Sequence, residues 1–438
     1  MLSKKKYQNK IYIYFFICTI FYGLLYLFIT PPFYVSDEAA HFRKAASKEI
    51  IYFRGELEIS KSAQKFSDIK IFTWDFVREN KSYKYQFSEI ISFKDKFLWD
   101  DKFVKANLFA VTGYPYTSYI LSKIGISISK IFTDKIFYSF YFGRLFNFLF
   151  AILALTVTLK YVNKGRELLF ILLCMPMTLS LLASYNQDCA LISFSCLLIL
   201  LLTQFNNLKS PFLLLMLINS ILLFLILARP PFISLLLIPF VLLKKENKKF
   251  NYFLFMSFIF FLILSLFFIL TFPTPSSPIN LEYFLSNPLN FLKVIVLDLH
   301  FHTFTYVLQF IGYLGHINIS LPIPVYLFFA FSIFFISLLT LYNGKKNLIK
   351  YFDFFIIITA IIGACILIFM SQYLYFTDIT NRDTFIQGVA GRYFIPLAII
   401  LTSMLPKMKK DFYLVKIIIV AVPHINIIAI NKIYNFFY

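Results

Sequence analysis

Two adjacent carboxylates, a histidine and an arginine follow directly on the first apolar run, in the stretch PPFYVSDEAAHFRKA (Pro31–Ala45). Pro31 and Pro32 stop a helix, and Ser36 is placed to cap a new one whose first turn would hold Asp37 and Glu38. Acids at that position gain roughly 0.3–1 kcal/mol from the helix dipole without any chemistry. A second reading starts from spacing. Asp37 and His41 are four residues apart and share a helical face, while Glu38 points about 100° away. A carboxylate held at a membrane boundary can take a proton from an acceptor hydroxyl, or hold a divalent cation beside a lipid phosphate.

Other polar motifs fall between apolar runs. GYPYTSYI (Gly113–Ile120) carries Tyr116, and GRLFN (Gly143–Asn147) carries Arg144. SYNQD ends in Asp188, ARPP offers Arg229, IGYLGHINISLP contains His316, and IQGVAGRYFIPL contains Arg392 and Tyr393. Guanidinium groups suit a phosphate or diphosphate through forked donors, which lysine matches less well. A single arginine at a membrane interface can simply snorkel. Three of them, Arg144, Arg229 and Arg392, are expected on the face that the positive-inside rule disfavours.

The elements that must position these residues are membrane spans. The chain has 438 residues, of which 59% are hydrophobic and 15% charged, and its mean hydropathy is +0.75. That leaves too little polar surface for a soluble globule of this size. The formal charge of +20 sits mostly in short clusters between apolar runs. It reads as membrane topology, and no basic domain is present to hold nucleic acid. Five cysteines, Cys18, Cys174, Cys189, Cys196 and Cys365, lie in or beside apolar segments without metal-ligand spacing, and read as small buried hydrophobes.

A span needs about 20 apolar residues, and cytoplasmic loops carry the lysine and arginine excess. With Lys4, Lys5 and Lys6 inside, the first span (11–30) delivers Pro31 onward to the outer face. The polar stretch 31–136 then forms a large extracytoplasmic loop. Spans follow at 137–159 and 166–183, and a fourth returns to the inside after SYNQD. Residues 211–243 form a pair of helices hinged at ARPP, and the next span covers 251–272. A second extracytoplasmic region occupies 273–320. Spans at 321–342 and 352–374, a return span ending near residue 410, and a last span at 413–431 complete an all-α polytopic membrane domain. The count is about 11 transmembrane helices (10–13). Residues 117–132 read as an interfacial helix because Lys123 and Lys130 recur within it. Residues 288–312 contain Asp298, His300 and His302 and read as helices lying over or dipping into the outer leaflet. The whole chain, 1–438, is one membrane domain.

At these motifs the chain resembles a family of predicted bacterial membrane proteins known as domain of unknown function 2142, similar in layout to the GT-C glycosyltransferases. PPFYVSDEAAHFRKA resembles the family's Pro-Pro…Asp-Glu…His signature, and SYNQD its Ser-x-Asn-x-Asp turn. IGYLGHINISLP resembles its Gly-x-Leu-Gly segment and GVAGRYFIPL its Gly-Arg-Tyr-x-x-Pro segment. The likeness covers about residues 11–405. It departs at His316, where an aromatic residue is expected, and at the alanine of GVAGRY.

The resemblance implies a GT-C-like enzyme in the bacterial cytoplasmic membrane, N-terminus inside. It would transfer a sugar from a polyprenyl-phosphate donor to a cell-surface glycan, lipid or protein. Asp37 and Glu38 are then catalytic. His41, Arg43, Tyr116, Arg144, Asp188, Arg229, His316, Arg392 and Tyr393 are candidates for substrate contacts, and a divalent cation at Asp37/Glu38 is one option. The partners implied are membrane lipid, the lipid-linked donor and the acceptor, with no nucleic acid. A flippase, transporter, polymerase or ligase of lipid-linked glycans is the alternative. A transporter is expected to carry ionisable residues within its spans or paired broken helices.

Overall fold

The computed structural model describes residues 10–49, 57–80, 82–106, 108, 111, 114, 116–204, 210–243, 247–271, 278–343, 351–408 and 412–438. The lysine clusters at 4–6, 244–246 and 344–350, and Gly113 and Pro115, lie outside the described residues. Among the described residues, nine helices are long and apolar enough to cross a membrane. They are α1 (Ile11–Ile29), α4 (Ile136–Tyr161), α7 (Gln187–Gln204), α8 (Pro211–Ala228), α9 (Lys248–Thr271), α10 (Pro288–Ile311), α11 (Ile323–Asn343), α12 (Tyr351–Tyr375) and the nearly continuous pair α14 (Tyr413–His424) and α15 (Asn426–Phe437). The shorter helices include α2 (Glu38–Ala46), α3 (Ile120–Phe132), the pair α5 (Arg166–Leu173) and α6 (Pro176–Leu182), and α13 (Ile395–Thr402). The chain is thus an all-α polytopic membrane protein.

Proline accounts for most of the difference from eleven spans. The apolar run 166–183 is cut at Met175, whose backbone is extended ahead of Pro176, so α5 and α6 are short and almost wholly buried. The expected return span is short as well: a tight turn over Gly391–Phe394 followed by α13. The run 211–243 divides as expected at ARPP. Helix α8 ends at Ala228, Arg229 is extended, and a three-ten helical run covers Pro230–Leu242. Helix α1 ends for the same reason, with Thr30 extended before Pro31.

Helix α3 has 13 residues, about 20 Å of rise, which falls short of the roughly 30 Å hydrocarbon thickness. Its Lys123 ammonium donates to the carbonyls of Ser47 and Glu49, at 2.6 and 2.7 Å. Lys130 sits 3.5 Å over the Trp99 ring. Helix α10 is a single unbroken helix long and apolar enough to cross a membrane, where the sequence reading had helices lying over or dipping into the outer leaflet. Its start, middle and end all follow the segment leading to Arg392. Asn290 donates to Asp383 (2.7 Å), Ile386 N–H to Asp298 (3.1 Å), and Gly391 N–H to Gln309 (2.8 Å). At Gly391 an added Cβ would lie 2.0 Å from the Tyr306 carbonyl oxygen, so only glycine permits this approach.

The first loop is built from short pieces, including a two-stranded antiparallel pairing of β1 (Glu58–Ser60) with β2 (Phe103–Lys105). Phe33, Phe42, Phe66, Phe140 and Tyr185 meet edge to face beneath it, with centroids 4.8–6.0 Å apart. Gly143 admits the Tyr185 hydroxyl against α4, where a Cβ would lie 1.6 Å from that oxygen. The C-terminus returns to this loop. Tyr85 N–H donates to Phe437 O (2.6 Å), and the Tyr438 hydroxyl to Ile29 O (3.1 Å).

The loop is fastened to the spans by Glu38 and Arg144, both fully buried. Arg144 Nε donates to Glu38 Oε1 (2.8 Å) and Nη2 to Oε2 (2.6 Å). Its remaining donors reach the carbonyls of Leu27 (2.9 Å), Thr30 (3.0 Å) and Pro31 (3.1 Å). All of the guanidinium's N–H groups are thereby used. Tyr185 N–H donates to Glu38 Oε1 as well, at 2.9 Å. Removing one member of such a pair leaves an uncompensated buried charge, which costs about 3–5 kcal/mol. Glu38→Gln is therefore expected to lower the melting temperature of the purified protein by several degrees. Arg144→Lys is expected to do the same, because an ammonium cannot serve the fork and three carbonyls together. An unchanged melting curve for either variant would contradict this role.

Candidate functional site

Asp37 adopts a left-handed conformation (φ 62°, ψ 8°) immediately before α2. That conformation is uncommon for a residue with a Cβ, though aspartate tolerates it better than most. The sequence placed Asp37 and Glu38 in the first helical turn behind a Ser36 cap. Instead α2 begins at Glu38, and the Asp37 carboxylate makes no capping hydrogen bond. The Ser36 hydroxyl donates to the Gly315 carbonyl at 3.3 Å. The Asp37 side chain is consequently turned outward, 51% exposed, with Oδ2 3.6 Å from Arg392 Nη2.

Arg392 and Arg229 arrive from different elements. Arg229 occupies the extended residue between α8 and Pro230, so its side chain projects at a helix break. Arg392 lies in the turn after Gly391. Asp188 meets both: its Oδ1 accepts from Arg229 Nη2 at 2.7 Å, and its Oδ2 lies 3.6 Å from Arg392 Nε, which makes no hydrogen bond among the described residues. Tyr393 packs against the same two groups, its ring centre 4.2 Å from the Arg229 guanidinium carbon and 5.5 Å from that of Arg392. Asp188 is fixed in turn by the start of α7, where Asn186 Oδ1 caps the helix by accepting from Cys189 N–H at 2.9 Å.

These residues line a small cleft together with Ser36, His41, Tyr114, Leu181, Asn186 and Gln187. Two arginines face two aspartates, so the cleft is formally balanced and an anion would join guanidiniums already in place. His41 shares a 2.7 Å hydrogen bond between Nδ1 and the Tyr119 hydroxyl, and stacks on Tyr114 with centroids 6.1 Å apart. Burial pushes His41 down to about 3, aided by the positive charges of Arg392, Lys44 and Arg229. It is therefore a neutral imidazole at pH 7. Lys44 lies behind it, fully buried, donating to the Val111 carbonyl at 2.8 Å. Burial lowers its ammonium to about 7.

Of the residues singled out in the sequence, Asp37, His41, Asp188, Arg229, Arg392 and Tyr393 come together here. Glu38 and Arg144 do not, since each is consumed by the other beneath the loop. A cation site shared by Asp37 and Glu38 does not fit, because Arg144 takes both Glu38 oxygens. Among the described residues no group of three or more metal-ligating side chains forms. Arg43 turns away from the cleft to Ser67 Oγ (2.7 Å) and to the Asp68 carboxylate, tying α2 to the helix Lys61–Ser67. Tyr116 lies beneath the Lys123 ammonium, 5.1 Å from its ring centre.

His316 packs edge-on against Tyr34 at 5.1 Å, close enough to feel the Asp37 charge without lining the cleft. Burial lowers it to about 4, with the Asp37 charge opposing. The lining residues Ser36, Asn186 and Gln187 sat inside quoted motifs without being chosen. Tyr114 and Tyr119 lie inside GYPYTSYI as well, where Tyr116 was singled out and nothing in the spacing separated the three tyrosines.

The histidine shifts give a pH dependence with a defined sign. His41 and His316 bind protons less readily in the folded chain, at about 3 and 4, than an unfolded histidine near 6.5. Between about pH 4 and 6.5 the unfolded chain holds more protons, so stability is complete above that window and is lost as pH falls through it. The melting temperature is expected to drop between pH 7 and 4.5. His41→Gln, which cannot titrate, should flatten that drop by up to about 1.4 kcal/mol per pH unit. An equal slope in wild type and variant would contradict the buried neutral imidazole.

No curated protein and no solved structure matches the chain. A family model does, over residues 20–401, a stretch that takes in every residue of the cleft. By that match the chain belongs to the family described as predicted membrane protein (DUF2142).

Proposed function

We propose that the protein is a GT-C-like glycosyltransferase of the bacterial cytoplasmic membrane. It takes a sugar from a polyprenyl-phosphate donor and passes it to a hydroxyl of a cell-surface glycan, lipid or protein on the outer face, with the N-terminus inside. The observation that carries this reading is the Asp37–Arg392–Asp188–Arg229 constellation, in which one half-exposed carboxylate stands beside two anchored guanidiniums. Its position at the end of α1 favours a ligand that reaches the cleft from the membrane.

In this reading Arg229 and Arg392 bind the donor phosphate. Asp37, which neither caps α2 nor lies in a buried pair, removes the proton from the acceptor hydroxyl. The acceptor oxygen bonds to the anomeric carbon as the bond from that carbon to the phosphate oxygen breaks. The electron pair leaves with polyprenyl phosphate, whose added charge the two arginines stabilise. Neutral His41, positioned through Tyr119, offers a ring nitrogen to the sugar or the acceptor. Asp188 fixes the arginines, whose charge would otherwise be mobile.

Asp37→Asn is expected to leave the protein inserted and folded while lowering sugar transfer by roughly 10²–10⁴-fold, the usual worth of a positioned base. Full transfer by the purified variant would remove Asp37 from the chemistry. Transport of the lipid-linked sugar without transfer by the wild type would replace the enzymatic reading. Arg392→Lys should weaken binding of polyprenyl phosphate roughly 10- to 100-fold through loss of charge-assisted hydrogen bonds. Unchanged affinity in a direct titration would exclude Arg392 from the phosphate site.

A further inference from the structure

Gln187 is the first residue of α7 and sits between two residues with full engagements. Asn186 caps the helix and Asp188 holds Arg229. Gln187 is 4% exposed and lines the cleft, yet its Oε1 is buried with no hydrogen-bond partner among the described residues. A buried acceptor left unmade is costly, and native structures retain few of them. The Asp188 and Asp37 carboxylates are acceptors only. Arg229 is hydrogen-bonded to Asp188, and Arg392 Nε, itself without a hydrogen-bond partner among the described residues, makes none to Gln187.

We infer that Gln187 is a specificity-determining contact that accepts a hydrogen bond from a hydroxyl of the transferred sugar. The inference rests on the glycosyltransferase reading and adds to it the group that recognises the sugar as distinct from its carrier. The chemistry of the donor selects this assignment. A phosphodiester near pH 7 has only acceptor oxygens and cannot satisfy an amide oxygen, and the polyprenyl chain has no donor. The sugar is the part of the donor that brings O–H groups. A site built to pair with a hydroxyl discriminates strongly against a ligand that lacks it, because the buried group is then left unpaired.

The test compares binding of polyprenyl phosphate alone with binding of the same carrier bearing glucose, mannose or arabinose, for wild type and Gln187→Met. Methionine keeps the length and flexibility of glutamine but neither its acceptor nor its donor. Wild type is expected to hold at least one glycosylated carrier more tightly than the bare one. Gln187→Met should lose roughly tenfold on that carrier, about the worth of one hydrogen bond, while its affinity for bare polyprenyl phosphate stays unchanged and reports an intact cleft.

Equal losses on both carriers would overturn the inference by placing Gln187 at the phosphate or in the fold. No loss on either, or a wild type that never prefers a glycosylated carrier, would overturn it as well. A wild type that binds none of the four lipids would overturn this inference together with the proposed function. Binding by the wild type with no effect at Gln187 would leave that function standing.

Discussion

The buried pair of Glu38 and Arg144 is the constraint on which the cleft depends. It joins the carbonyl end of α1, the start of α2, the first half of α4 and the backbone of Tyr185. Both carboxylates of the site stand next to it in the chain: Asp37 precedes Glu38, and Asp188 is three residues beyond Tyr185. A single ion pair thus sets the height and direction of two backbones that approach from different parts of the sequence. Buried pairs of this kind add little net stability compared with well-packed apolar residues, yet breaking one is expensive. Its value here lies in placement.

Above that clasp the cleft has its charge arranged before any ligand arrives. Asp188 uses both oxygens on guanidiniums from separate elements, and Tyr393 packs against both. Asp37 lacks a partner like Arg229: it approaches Arg392 at 3.6 Å and keeps half of its surface open. Two carboxylates of the same chemistry therefore have different environments: one is buried and structural to the arginines, the other is available. That division is what a transfer reaction asks of a cleft, with donors preorganised for the leaving phosphate and a separate acceptor for the proton. Neutral His41 fits the same scheme, since a further charged group there would upset a balance of two arginines against two aspartates.

Much of the fold was legible because prolines and apolar runs act locally. The ends of α1 and α8, the hinge at Arg229 and the short α3 follow from Pro31, Pro230 and the recurring lysines. The break at Met175 was overlooked because the surrounding residues are continuously apolar, and hydropathy is blind to Pro176. At the site, spacing placed Asp37 and His41 on one side, and the arginines could be chosen by type. Spacing could not show that Glu38 faces a buried Arg144, because the two are 106 residues apart and their pairing is a matter of packing. It could not separate Gln187 from Asp188 either. Their difference, one orphaned and one doubly paired, exists only once Arg229 and Arg392 have been brought to the helix start.

The central claim is that a lipid-linked sugar lies between Asp37 and the two arginines. The most direct measurement is a structure of the protein in a lipid nanodisc with a glycosylated polyprenyl phosphate bound. The account predicts phosphate oxygens in hydrogen-bond contact with Arg229 and Arg392, and the sugar lying toward Asp37. A headgroup bound elsewhere on the protein, with the Asp188-anchored arginines untouched and Asp37 facing only solvent, would contradict it.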